Sequence, residues 1–291
     1  MSPREYDESD AKIRPSRRTR PRSKDRPAYT DSVSAFVTTV DRGRTTCITS
    51  LGVEVLAMKA RELGRQSVVV GDSVQVVGDL SGATGTLARI VQVNQRSNSL
   101  SRTVDDDAHF ERTIVSNIDQ MLIVVAAANP EPRQGLIDRF LISAYYESIT
   151  PIIVVTKIDL APLAQFFEHY RELGITILTT SSKMQSRDAE IAHIRHSLHG
   201  KISVLVGHSG VGKSTLINDL VGTSARATGD VNDVTGRGRH TSSSALALPL
   251  TDGGWIIDTP GIRAFGLAHL DKERVATLQE KLGIMPFEEE R

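Results

Sequence analysis

The chain has 291 residues, of which 39% are hydrophobic and 24% charged, and its 35 basic and 35 acidic side chains cancel to a formal net charge of zero. That length accommodates about two domains of ordinary globular composition. Its one cysteine, Cys47, excludes an internal disulfide and a cysteine-based zinc cluster; no apolar run reaches membrane-spanning length and the N-terminus lacks a signal-peptide core, so the expected compartment is the cytoplasm.

The zero net charge hides an asymmetry. Residues 12–26, KIRPSRRTRPRSKDR, hold eight basic residues and one acid, Asp25, and Ile13 is their only large apolar residue. Such a stretch buries too little surface to offset its ordering entropy, so residues 1–30 are expected to form a disordered basic tail. It reads either as a solubilising tail or as a phosphate-seeking arm, because arginine-rich segments gain counterion release on nucleic acid.

Residues 31–100 form the next unit. SAFVTTV, TCITSL, VEVLAMKA, SVVVGDSVQVVG and TLARIVQVNQR are rich in Val, Ile and Thr, with turn signals at 41–43, 63–64, 71–72 and 81–83. Five short strands suit a small barrel, and the OB-fold is the commonest five-stranded design. Arg42, Arg44, Lys59, Arg61 and Arg65 supply either a basic face or a plain solvated surface. Phe36 is the main candidate for stacking on a base, and the scarcity of other aromatics favours recognition of shape or backbone. Residues 101–112 read as a polar linker.

From 113 to 268 the pattern changes. MLIVVAAA, PIIVVT, ITILTT, KISVLV and WIIDT are continuous apolar runs, as expected of strands buried on both faces of a mainly parallel sheet. RQGLIDRFLISAYYES, APLAQFFEHYREL and DAEIAHIRHSLH alternate with them at helical period, with Leu136, Ile137, Phe140, Leu141 and Ala144 on one face of the first. The alternation predicts an α/β domain. Residues 269–291 read as a short C-terminal helical segment whose buried stripe is Val275, Leu278 and Leu282. His193, His196 and His199, three residues apart, read as a solvated helix flank in preference to a zinc site.

GHSGVGKST, from Gly207, fits G-x-x-x-x-G-K-[ST] and stands between a strand and the helix KSTLINDLV. The loop Gly207, His208, Ser209, Gly210, Val211 and Gly212 would wrap its N–H groups round a β-phosphate. Lys213 would reach the β and γ oxygens, Ser214 would ligate Mg²⁺, and Thr215 completes the motif. The rival G-x-S-x-G elbow fails because its fifth position is Val211. DTPG closes the strand WIIDT, where Asp258 would hold Mg²⁺ through water and the Gly261 N–H would sense the γ-phosphate. Between them GRGRHTSSS reads as a mobile loop in which Thr241 or Ser242 completes the Mg²⁺ shell, or as an ordinary polar loop. TKID at 156–159 ends another strand: Asp159 would accept from guanine N1 and N2 and so select GTP over ATP, Lys157 would lie along the base, and Thr156 and Ile158 complete the nucleotide-binding corner. Ser181, Ser182 and Lys183 have the spacing of a second base-contacting loop. The base corner thus precedes the phosphate loop. Because domain termini often lie close together, the order is that of a GTPase circularly permuted, with the barrel fused at the new N-terminus.

The ordered set TKID, SSK, GHSGVGKST, GRGRHTS and DTPG behind a barrel resembles the circularly permuted, small-ribosomal-subunit-dependent GTPases of the RsgA (YjeQ or EngC) family, over roughly residues 33–270. The resemblance implies a P-loop GTPase domain with an N-terminal OB-fold, ahead of the short C-terminal helical segment read from the residues. It also implies hydrolysis of GTP to GDP with Mg²⁺, stimulated by the small subunit during its late maturation, contact of the barrel with ribosomal RNA, and a monomer. It places catalysis on His240, because Ile262 stands where other GTPases carry a water-orienting glutamine; the imidazole would accept from the attacking water, or it makes only a phosphate or RNA contact. In a free loop His240 is poorly placed, which predicts slow turnover until a partner orders the loop. A GTP-dependent RNA-binding switch with negligible turnover and a signalling or transport GTPase with a protein partner are the alternatives. The chain departs from the family pattern twice. Thr156 stands where Asn is commoner, which predicts fewer ties between base corner and phosphate loop. After Gly261 there is no cysteine and one histidine, His269, so zinc is not expected: either the branch lacks the family's zinc knuckle or the chain is shortened.

Overall fold

The computed structural model describes residues 29–41, 43–64, 66–103, 111–222, 245–259 and 270–287. Residues 1–28 of the expected basic tail, Arg42 and Arg65 lie outside them.

The barrel is built from β1 (Val33–Asp41), β2 (Arg44–Thr49), β3 (Glu54–Lys59), β4 (Ser73–Gly78) and β5 (Ala88–Val93). Pairings run β1–β2–β3–β5–β4 and return from β4 to β1, which closes the sheet and leaves no free edge; only β3–β5 is parallel. Period-two alternation sends Ala35, Val37, Cys47, Val55, Ala57, Val74, Val76, Ala88 and Ile90 inward. Burial pushes the Cys47 thiol up to about 12, so it packs as a small apolar group and is not a reactive one. The run 67–78 is a strand only from Ser73 onward. Before that the chain turns at Gly71, φ +92°, where a side chain would overlap the Ser116 carbonyl. The turn is held by Asp72, fully buried, which accepts from Val69 N, Arg96 Nε and Nη2, and Ser116 Oγ. Of the basic-face candidates, Arg44 and Arg61 are exposed, while Lys59 Nζ donates to the carbonyls of Gly64 and Gln66.

The stretch read as a polar linker carries structure at both ends. β6 (Ser99–Thr103) and β7 (Glu111–Ser116) pair antiparallel, and Leu100 and Val115 enter the core of the following domain. The acidic run between them masked this pairing in the sequence.

The second domain contains β8 (Gln120–Ala126), α1 (Gln134–Tyr146), β9 (Thr150–Thr156), α2 (Phe167–Glu172), β10 (Thr176–Thr179), α3 (Arg187–Leu198), β11 (Ile202–Val206), α4 (Lys213–Val221), β12 (Leu246–Pro249) and β13 (Trp255–Asp258). The sheet order is β10-β9-β8-β11-β13-β12, parallel except for β12. Alternate residues of β8 face opposite ways. Met121, Ile123 and Val125 pack with Ile137, Phe140 and Leu141 of α1 and Phe167 and Tyr170 of α2. Leu122, Val124 and Ala126 pack with Ile191, Ile194 and Leu198 of α3 and Leu216, Ile217 and Leu220 of α4. Helices therefore cover both faces, which is why these strands read as unbroken apolar runs. The helix expected over 161–173 is confined to α2; Leu163, Ala164 and Phe166 instead pack on the core from irregular chain that follows Pro162.

A single bridge, Thr39↔Leu246, joins β1 to β12, and the ring of Phe36 lies 4.8 Å from that of Trp255. Phe36 is thus engaged between the domains and is not an open stacking platform for a base. The last helix, α5 (Lys272–Leu282), begins at Asp271, whose side chain accepts from Arg274 N, and ends at Gly283, φ +61°. Leu282 and Ile284, with Val275 and Leu278, pack on Ile142 and Tyr145 of α1. Each fully buried aliphatic contributes about 1.5–3 kcal/mol, so this burial outweighs the polar contacts of Arg274 with the Tyr146 ring and carbonyl.

Candidate nucleotide site

Strand order reverses at β11, and the chain leaves the carboxyl ends of β8, β9, β10, β11 and β13 on one rim; ligands of doubly wound sheets bind at such a reversal. The loop 207–212 crosses this rim. Gly207, φ +142°, passes so close to β8 that a Cβ would stand 2.2 Å from the Val124 carbonyl oxygen. Gly210 and Gly212 also have positive φ, and Gly212 caps α4. The first turn of α4 thereby presents its N–H groups and the positive end of its dipole to the rim. Lys213 Nζ donates to the carbonyls of Gly207 and His208 at 2.7 and 2.9 Å, lying along the inside of the loop. Burial lowers its pKa, and the Asp258 carboxylate opposes that shift. Ser209, Gly210, Ser214 and Thr215 are exposed, Val211 is buried, and His208 is half-buried with Nδ1 2.8 Å from the Ser209 carbonyl.

The base corner is bound directly to this loop. Thr156 Oγ1 lies 2.5 Å from the Val211 carbonyl and 3.1 Å from that of Val125. Lys157, at φ +56°, sends Nζ to the carbonyls of Gly210 and Asn129. Ile158 packs on the core. The Asp159 carboxylate accepts from Ser181 Oγ at 2.5 Å and has Lys183 Nζ 3.9 Å away. The Ser181 hydroxyl above all, with smaller help from Lys183 and Lys157, holds this carboxyl below the usual carboxylate range. Ser181 is buried and Ser182 and Lys183 are exposed. A cleft between the two loops is lined by Thr156, Lys157, Thr180, Ser182, Gly212 and Thr215, with Asp219 at its foot.

Sequence reading missed the supports of this cleft. Glu190 accepts from Ser181 N through Oε2 and from Ser186 Oγ through Oε1. Arg187 makes a two-pronged pair with Asp219 of α4 at 2.5 and 2.6 Å. No motif marks these residues; only the i to i+4 spacing of Ser186 and Glu190 hints at them.

Asp258 ends β13 in register with Leu205 of β11, and Thr259 Oγ1 donates to the Leu205 carbonyl at 2.9 Å, fixing that end beside the phosphate loop. Ser214 and Asp258 are hard oxygen donors flanking the loop, a set that fits Mg²⁺. His240, Thr241, Ser242 and Gly261 lie outside the described residues. Among the described residues no group of three or more His, Cys, Asp or Glu side chains is placed to hold a metal, and His193, His196 and His199 are exposed along α3.

A family described as RsgA GTPase matches residues 93–268. The chain is 36% identical over 219 residues to the small ribosomal subunit biogenesis GTPase RsgA of Chlorobaculum tepidum, covering 73% of this chain and 70% of that protein. It is 40% identical over 217 residues to the protein of the same name from Shewanella oneidensis, covering 72% and 60%. The chain thus spans less than two thirds of some of these relatives. Among solved structures it is similar to the crystal structure of YjeQ from Thermotoga maritima, with TM-score 0.59, 28% identity, and 79% of this chain and 75% of that one covered. It shares the fold of YloQ, a circularly permuted GTPase, at TM-score 0.62 and 22% identity, with 87% and 80% covered.

Proposed function

The chain belongs to the RsgA GTPase family, a family of GTP hydrolases, and from that premise we propose that it is a small-subunit assembly factor. In this reading it hydrolyses GTP to GDP and phosphate, the small ribosomal subunit stimulates its turnover, and it acts late in maturation of that subunit. The observation that carries the reading is the direct bonding of base corner to phosphate loop, from Thr156 to Val211 and from Lys157 to Gly210. A single guanine nucleotide would span both. The relatives named for small ribosomal subunit biogenesis supply the partner.

Each residue has a chemical task in this reading. The N–H groups of 207–212 and the start of α4 would receive the phosphates. Lys213 would exchange its carbonyl partners for the β and γ oxygens, where its charge offsets that of the transferring phosphoryl group and of the leaving β-phosphate. Asp159 would read guanine N1 and N2. Ser214 and Asp258, with Thr241 or Ser242, would hold Mg²⁺, which neutralises charge on the β and γ oxygens when bound. His240 would accept from the attacking water. The protein would act as a monomer in the cytoplasm, with the barrel and the basic tail on ribosomal RNA. No helix among the described residues is long and apolar enough to cross a membrane.

GTP hydrolysis by the purified protein, alone and with isolated small or large subunits, tests the proposal. Stimulation by small subunits only, lost in His240→Ala, is expected. Tight GTP binding with no stimulation by either particle would sink the partner; unchanged turnover in His240→Ala would favour a switch that turns over negligibly.

A further inference from the structure

The loop that follows β10 is closed by one carboxylate. Glu190, in the first turn of α3, takes the Ser181 N–H at 3.0 Å on Oε2 and the Ser186 O–H at 2.8 Å on Oε1. Both ends of the loop 181–186 are therefore pinned to one side chain. The Ser181 N–H is taken by Glu190, and its hydroxyl donates to Asp159 Oδ1 and accepts from Lys183 N at 3.1 Å. A chain of hydrogen bonds thus runs from Glu190 through Ser181 to Asp159.

We propose that Glu190 is a positioning residue for guanine selection: through Ser181 it fixes the rotamer of Asp159, so that the carboxylate meets the N1–H and 2-amino group of the base together. The inference rests on the guanine-nucleotide reading of the cleft. Three features support it. Ser181 Oγ stands 2.5 Å from the Asp159 carboxylate while Lys183 Nζ is 3.9 Å away, so the hydroxyl is the nearer hold on the carboxylate's rotamer. Ser181 is buried, so its hydroxyl has no solvent alternative. Glu190 is bonded to both ends of the loop and not to its own helix terminus alone: the Ser186 contact spans four residues, one more than a capping box requires. A role confined to the helix would not need the Ser181 N–H.

The mechanism separates guanine from phosphate. Without Glu190 the phosphate loop and its ties to Thr156 and Lys157 remain, since none of those bonds passes through residues 181–190. What is lost is the alignment of Asp159, and that loss is felt only by ligands that use it fully. Inosine diphosphate keeps N1–H and lacks the 2-amino group, so it reports half of the interaction.

The test is titration of the full chain and of Glu190→Ala and Glu190→Gln with GDP, IDP and ADP, alongside thermal melting. Glu190→Ala is expected to weaken GDP about tenfold, the size of one charge-assisted hydrogen bond, and IDP by less, so that the GDP-to-IDP preference shrinks. Glu190→Gln keeps a carbonyl for the Ser181 N–H and an amide for the Ser186 oxygen, and is expected to restore most of the preference. An equal loss for GDP, IDP and ADP, or no loss, overturns the proposal. If Glu190→Ala fails to fold, the glutamine variant and Ser186→Ala are judged on the same GDP-to-IDP ratio. Equal binding of GDP and ADP to the unmodified chain would instead refute the guanine reading of the cleft itself, a different outcome from failure of the Glu190 variants.

Discussion

The hydroxyl of Thr156, at the end of β9, lies 2.5 Å from the carbonyl oxygen of Val211 in the phosphate loop. One O–H cannot serve two acceptors at once, so the Val125 carbonyl at 3.1 Å is the lesser partner. An asparagine amide would offer two N–H donors, and threonine therefore supplies part of that connection. Thr156→Val keeps the shape and removes the donor. The cost is about 1–3 kcal/mol for the abandoned buried carbonyls, and GDP and GTP affinity should fall together by roughly tenfold. Titration with a fluorescent nucleotide checks this; unchanged affinity would show that the Lys157 contacts suffice.

Gly207 and Gly210 make a matched pair for a second test. Alanine at Gly207 would put a methyl group 2.2 Å from the Val124 carbonyl, whereas at Gly210 the nearest atom is Pro130 Cδ at 3.9 Å. Both positions have positive φ. Gly210→Ala should cost the ligand-free protein only the backbone strain, about 1–2 kcal/mol; Gly207→Ala adds an overlap that β8 must move to relieve, roughly 3 kcal/mol or more in all. Urea unfolding of the two variants should rank them in that order.

Buried between α1 and α2, Asp138 accepts from Tyr170 Oη at 2.7 Å. Burial raises its carboxyl above the ordinary value, against the smaller downward pull of the Tyr170 bond and His169. The fold therefore favours the protonated form. Stability from this group is complete below the ordinary carboxylate value, about 3.9, and is lost as pH rises through the raised folded value. Asp138→Asn keeps an acceptor for Tyr170 and carries no charge. It should melt higher than the parent at neutral pH, with the gap closing as pH falls toward that ordinary value. Melting curves that stay parallel across the range would refute the assignment.

Asp72 ties the barrel turn to both Arg96 and Ser116, and all its bonds are internal. Asp72→Ala strands a guanidinium and an N–H, at a cost of roughly 3–5 kcal/mol. Nucleotide affinity should survive in the folded fraction, because the nucleotide loops make none of these contacts. Denaturant unfolding and GDP titration on the same sample separate the two effects.

What was legible in the sequence was what repeats locally. The apolar runs of β8, β9, β11 and β13 announce a sheet covered on both faces, and the spacing within GHSGVGKST places a loop between strand and helix. Less legible were features whose cause is distant. β12 consists of Leu, Ala, Leu and Pro, residues with little strand preference, and it is a strand because β13 pairs it. Phe36 looked available because nothing near it in the chain reveals Trp255. Glu190 belongs to an ordinary amphipathic helix until the fold brings Ser181 to it. Periodicity reports which side of an element is buried; it does not report which polar side chain meets another.

The Phe36–Trp255 contact gives the molecule an optical property. Trp255 is the only tryptophan among 291 residues, and its ring on β13 of the nucleotide domain meets that of Phe36 on β1 of the barrel across β12. Its emission is then uncontaminated by any other indole. A rotation of the barrel against the nucleotide sheet would alter the stacking at 4.8 Å and the wetness of the ring together. Wavelength and quenching of that one fluorophore would report any change at this contact without a label, in the unmodified protein, as nucleotide is exchanged or a partner is added.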